Sequence, residues 1–184
     1  MHEAELPAVT RRIFLSNALQ ALGAAAALPL VAAAHGGMET AAAEQSAAPP
    51  LKVLSPVEYA VLQAVAETMI PQGGAFEMGA RDVDLARRID SYLPRLQPPL
   101  VTGFRGALVF TEQQAPGLAG KKGAFTSLSE TDRAAVLSAM LAAGGLPASV
   151  FLGLKSACTT YFYTLDATWK HTGYDGPMLL EDRK

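Results

Sequence analysis

Residues 13–38 carry no formal charge. Within that stretch, residues 18–34 are mostly Ala and Leu, broken by Gln20, Gly23 and Pro29. Such a segment has no aromatic side chains to give to a packed core. Of 34 alanines, 16 lie in the first 50 residues, whereas of 13 aromatic residues only Phe14 does. The 184 residues therefore divide into a leader, a connector and one domain with a core of its own.

The leader has the parts of an export signal. Residues 1–10 form a short segment with the polar residues His2, Glu3, Glu5 and Thr10, Arg11-Arg12 follows, and the apolar stretch ends at Ala32-Ala33-Ala34, an A-x-A-type cleavage site. Thr10-Arg11-Arg12-Ile13-Phe14-Leu15 resembles the consensus of the bacterial twin-arginine pathway, with Ser16 where lysine is common. That resemblance implies that Arg11, Arg12, Phe14 and Leu15 are read by the twin-arginine translocon. It also implies folded cargo and a periplasmic product. The competing reading is a membrane helix. Spanning takes about 20 strongly apolar residues, whereas alanine is weakly apolar and Pro29 interrupts helix hydrogen bonding. An uncleaved anchor uses the same kind of stretch. The expected organisation is a signal at 1–34, cut after Ala34 or alternatively after Ala43, a flexible connector at 35–50 and a helical domain at 51–184. The connector is Gly-, Ala-, Glu-, Ser- and Pro-rich and has no apolar periodicity.

Helix punctuation organises the domain. Ser55-Pro56-Val57-Glu58 is a capping box with proline at the first helical position. Val61, Leu62, Val65 and Met69 then form one face, and Pro71 with Gly73-Gly74 stops it. Asp82 is expected to cap a second helix with Val83, Ala86, Ile89 and Leu93 on its face. Arg87, Arg88 and Asp90 are expected on its solvated side. A third starts near Pro98-Pro99, uses Leu100, Phe104 and Leu108, and closes before Pro116. Gly103 and Gly106 weaken it by up to about 1 kcal/mol each. Ser129 opens a fourth with an acidic first turn. Val136, Leu137, Met140 and Leu141 form its face, and Gly144-Gly145 ends it. Pro147 opens the fifth, whose stripe is Phe151, Leu154, Cys158, Tyr161, Phe162 and Leu165. No segment alternates as a strand does. The expected fold is all-α, a single irregular bundle of about five helices.

Several chemistries are disfavoured. Seventeen acidic and fifteen basic residues give a net charge of −2, with no electrostatic footprint for nucleic acid. One cysteine excludes an internal disulfide framework and a multi-cysteine metal site. His171 is the only histidine of the domain and has no carboxylate or cysteine neighbours at metal-ligand spacing. Cys158 lies in an apolar stripe, where a small buried thiol is inert. Residues 117–122 look faintly like a phosphate loop, but Ala115 replaces the first glycine and Lys122 the magnesium-binding hydroxyl. Asp82, Asp84 and Asp90 are expected to cap a helix and face solvent rather than form an acid–base pair. No catalytic residue, metal or cofactor site in this chain is expected.

The C-terminal segment is the unusual one. Tyr161-Phe162-Tyr163 precedes Trp169-Lys170-His171-Thr172-Gly173-Tyr174-Asp175-Gly176-Pro177, where rings alternate with turn residues. Two readings stand for Trp169 and Tyr174: closing the domain's own core or anchoring an interface.

Three blocks are similar to those of the gluconate 2-dehydrogenase subunit 3 family. They are Leu54-Ser55-Pro56-Val57-Glu58-Tyr59 with its continuation to Pro71, residues 80–90, and the ending W-x-x-x-G-Y-x-G-P. The resemblance implies the non-catalytic small subunit of a periplasmic, membrane-associated sugar or sugar-acid dehydrogenase. Its large subunit would bind FAD and oxidise the substrate. A cytochrome c subunit with haem c would pass electrons on. The small subunit would aid export and maturation of the flavoprotein. Trp169 and Tyr174 would then dock the large subunit, with Gly173, Gly176 and Pro177 shaping the loop. A free-standing periplasmic chaperone or binding protein, and a small enzyme using His171 or Cys158, are the other two readings.

Overall fold

The computed structural model describes residues 50–74 and 77–175. The leader, with Arg11, Arg12, Phe14, Leu15, Ala32 and Ala34, lies outside the described residues, as do Gly176 and Pro177. Among the described residues there are seven α-helices, two 3-10 turns and no strand. The helices are α1 (Pro56–Met69), α2 (Leu85–Tyr92), α3 (Pro98–Gln113), α4 (Ala115–Leu118), α5 (Glu130–Ala143), α6 (Gly145–Tyr163) and α7 (Asp166–Thr172). The fold is all-α, as expected. The two helices beyond the expected five, α4 and α7, are four and seven residues long. Neither is long enough to show an apolar period. No helix among the described residues is long and apolar enough to cross a membrane.

Helix α1 is central and touches α2, α3, α5 and α6. Its buried residues show why. Val61, Leu62 and Val65 form the expected face, and Ala64 and Ala66 are buried as well. Small side chains let neighbours close in on a second side, so the helix is apolar over more than a stripe. The capping box is present: the Glu58 N–H donates to Ser55 Oγ and the Ser55 N–H to Glu58 Oε2 at 2.8 Å. Arg105 of α3 adds a bond from Nε to Glu58 Oε1 at 2.7 Å.

Burial pulls the Glu58 carboxyl upward. The bonds from Arg105 and Ser55, with the Arg105 charge, outweigh it and hold the group below its ordinary 4.5. A depressed folded-state pKa contributes stability that is complete above the unfolded value and lost as pH falls through the folded one. The melting temperatures of wild type and Glu58→Gln are therefore expected to differ near neutrality and to converge on the acid side. A gap that persists unchanged to about pH 3 would contradict this.

Three expectations are corrected. First, Asp82 does not cap α2. Its carboxylate accepts from the Gly79 N–H at 2.7 Å and Gln72 Nε2 at 2.6 Å, and so is engaged with the preceding loop. Asp84 caps instead, with φ 43° and a long bond from the Arg87 N–H. Aspartate is one of the few residues whose short polar side chain tolerates that left-handed backbone. Second, Asp90 is not solvated but 1% exposed. It accepts from the N–H groups of Lys52, Val53 and Leu54 at 2.6, 3.0 and 2.8 Å. Third, Leu141 is 48% exposed, while Val136, Leu137 and Met140 are buried. At 100° per residue Leu141 falls at the margin of the stripe those three define.

Elsewhere local chemistry and fold agree. Pro116 lacks the N–H that would extend the α3 ladder, so α3 ends at Gln113 and the short α4 starts afresh. Gly144, with φ 69°, ends α5 and precedes α6 directly. Helix α6 starts at Gly145, two residues before Pro147, and α5 packs along it. Leu154, Cys158 and Phe162 of the expected stripe are buried, with Phe151, Tyr161 and Leu165 packed beside them.

Candidate docking surface

Helix α7 packs on α6, and Thr168 is its buried residue. This side chain is fully buried and its Oγ1 donates to the Leu165 carbonyl at 2.7 Å. The helix then stops by a specific device. Gly173 takes φ 71°, and the Tyr174 N–H reaches back to the Trp169 carbonyl at 3.1 Å. The Tyr174 ring meets the Trp169 ring edge-on, with centroids 5.2 Å apart at 78°. A left-handed glycine, a backbone bond spanning the turn and an apolar contact between the same two residues make a Schellman stop. The W-x-x-x-G-Y spacing thus has a local cause. Glycine is required at the left-handed position, and the two rings sit where the stop brings them together.

The stop leaves Trp169 half-buried and Tyr174 49% exposed. Tyr163, the last residue of α6, is 47% exposed and lies edge-on to Phe162 at 5.3 Å. Tyr163 and Tyr174 are the aromatic members of the exposed large apolar side chains among the described residues. They flank α7 on either side in sequence.

Residues 70–74 and 77–82 contribute to the surface beside this helix. A groove of about 640 Å³ is lined by Gln72, Glu77, Met78, Asp82, Lys170 and His171. A smaller cavity of about 170 Å³ has Met69, Ile70, Met78, Phe162 and Tyr163 in its walls. A third, of about 290 Å³, lies among Glu67, Arg81, Glu130 and Arg133. Sequence reasoning treated residues 71–74 only as a helix stop and missed that the loop borders all three. The loop is stitched from several directions. The Ala80 N–H donates to the Ile70 carbonyl at 2.9 Å. Arg81 forms a two-pronged bond to Glu67, both contacts at 3.0 Å. Burial raises the Glu67 carboxyl, but the bonds from Arg81 and Gln63 and the nearby guanidinium charges outweigh this and leave it lowered.

The groups considered for chemistry are dispersed. Cys158 is buried in α6, and desolvation pushes its thiol up to about 12. It is therefore a protonated thiol at neutral pH, without nucleophilic character. His171 is exposed on α7. Asp82, Asp84 and Asp90 each serve a different set of donors: a loop, a helix start with the Tyr59 hydroxyl at 2.7 Å, and the segment before α1. Among the described residues no group of three or more His, Cys, Asp and Glu side chains is placed to hold a metal ion.

The acids Asp82, Asp84 and Asp90 thus serve the domain's own donors, and the exposed rings of Tyr163 and Tyr174 flank α7 in sequence. The sequence profile described as gluconate 2-dehydrogenase subunit 3 matches residues 56–176, and the chain belongs to that family. The match runs from the first residue of α1 past the Tyr174 stop. The family name makes the chain a component of a dehydrogenase complex. No curated protein and no solved structure matches the chain.

Proposed function

We propose that this chain is the non-catalytic small subunit of a periplasmic FAD-dependent gluconate or sugar dehydrogenase. In this reading it aids export, maturation or stability of the flavoprotein subunit. The observation that carries the reading is the family match over residues 56–176, standing behind a leader with Arg11-Arg12. FAD belongs to the large subunit and haem c to a cytochrome subunit. This chain supplies an address and a docking surface. Flavin loaded before export needs a route for folded cargo, and the twin-arginine route is one. Arg11 and Arg12 present planar, charged guanidinium donors to the translocon, while Trp169 and Tyr174 supply rigid apolar area with polar tips for the large subunit.

The test is the double variant Arg11→Lys with Arg12→Lys. It keeps the charge and removes the planar guanidinium donors. Periplasmic dehydrogenase activity is expected to fall to background while the flavoprotein accumulates in the cytoplasm. Normal periplasmic activity would refute the export role.

A further inference from the structure

We infer that the groove beside α7 receives a segment of the flavoprotein subunit in one orientation, with an apolar side chain over Met78, a cation toward Glu77 and an anion toward Lys170. This rests on the accessory-subunit reading above. The groove has walls of opposite sign. Glu77 stands on the loop side and Lys170 on α7, both exposed. Neither is held in an ion pair among the described residues. Asp82, on the loop side as well, is bonded to the neutral donors Gln72 Nε2 and Gly79 N–H, which fix its position and leave its negative charge beside that of Glu77. The lining is mostly polar, and Met78 is its one apolar member among the described residues. Met78 lines both the groove and the smaller cavity with Met69 and Ile70, and unbranched thioether side chains reshape around an incoming group. Tyr163, in the wall of the smaller cavity that shares Met78, provides a half-exposed ring.

These features favour a protein segment over an anionic lipid surface. A lipid headgroup finds Lys170 and His171 on one wall but the Glu77 carboxylate on the other. Two separated charges of opposite sign instead set direction. Such exposed charges add little to affinity, but they steer encounter and reject reversed orientations.

The experiment uses the full chain, co-expressed with its flavoprotein subunit and purified. Association of the two purified proteins is followed by surface plasmon resonance at low and high salt. Vesicles of anionic and of neutral lipid serve as a parallel probe. Glu77→Lys and Lys170→Glu are each expected to slow association by about 3- to 10-fold at low salt. Raising the salt should shrink the difference, and melting temperatures should not change. Met78→Gln is expected to raise Kd by about 10-fold, mainly through faster dissociation. If wild type binds the flavoprotein and all three variants bind it equally well, the groove assignment is overturned while the accessory reading stands. Binding to anionic vesicles that Lys170→Glu abolishes, with flavoprotein binding untouched, would reassign the groove to lipid. If wild type does not bind the flavoprotein at all, both readings fall together.

Discussion

Asp90→Ala is expected to lower the unfolding free energy by about 3–5 kcal/mol and the melting temperature by about 10 °C or more. The carboxylate sits in the last turn of α2, where the helix field disfavours an anion. It is retained there by three consecutive backbone donors at 2.6–3.0 Å. Removing it affects those donors unequally. The Lys52 N–H belongs to an exposed residue and turns to water, the Val53 N–H does so in part, and the Leu54 N–H is left buried. An orphaned buried donor costs about 1–3 kcal/mol. Leu54 is itself 4% exposed, so its release also opens the edge of the core against α1. Asp90→Asn keeps the shape and one acceptor oxygen, and is expected to recover part of the loss. Urea melts read the energy, and amide hydrogen exchange at 52–54 reads the location. Unchanged stability together with unchanged protection would show that the carboxylate does not hold this segment.

Gly79→Ala is expected to cost about 2–3 kcal/mol by overpacking. A Cβ there would stand 2.6 Å from the Gln72 nitrogen, 2.9 Å from the Pro71 carbonyl carbon and 3.0 Å from the Ile70 oxygen. All three are backbone atoms, so no rotamer change relieves the clash and the loop itself must move. That movement would disturb the Gly79 N–H bond to Asp82 and the Ala80 N–H bond to Ile70. Because the same loop walls the groove, the variant should also weaken partner binding. Gly153→Ala is the control. It lies inside α6 with nothing within 4 Å of the added carbon, so a gain of about 0.5–1 kcal/mol is expected. Equal melting temperatures for the two variants would contradict the close approach at Gly79.

The contrast between these residues explains what could be read in advance. Ser55, Glu58 and Ser129 announce helix starts because their partners lie within three residues. Leu154, Cys158 and Phe162 announce a core face because a helix repeats. Asp90 has the same local pattern as a surface acid, and its donors are 36 to 38 residues away. Asp82 and Asp84 compete for one capping role, and the winner is decided by Gln72 and Gly79, which belong to the loop before them. The Trp169–Tyr174 pair was legible as aromatic punctuation, and the left-handed Gly173 between them explains its spacing. The groove was not legible, since Glu77 and Lys170 come to line it together only through the tertiary fold.

Purification of the tagged full chain from the periplasmic fraction tests the central claim most directly, by whether a flavoprotein comes with it. A stoichiometric partner carrying the absorbance of oxidised flavin, bleached on addition of a sugar or sugar-acid substrate, is the predicted result. A chain that elutes alone, with dehydrogenase activity undiminished in the fractions it has left, would contradict the account.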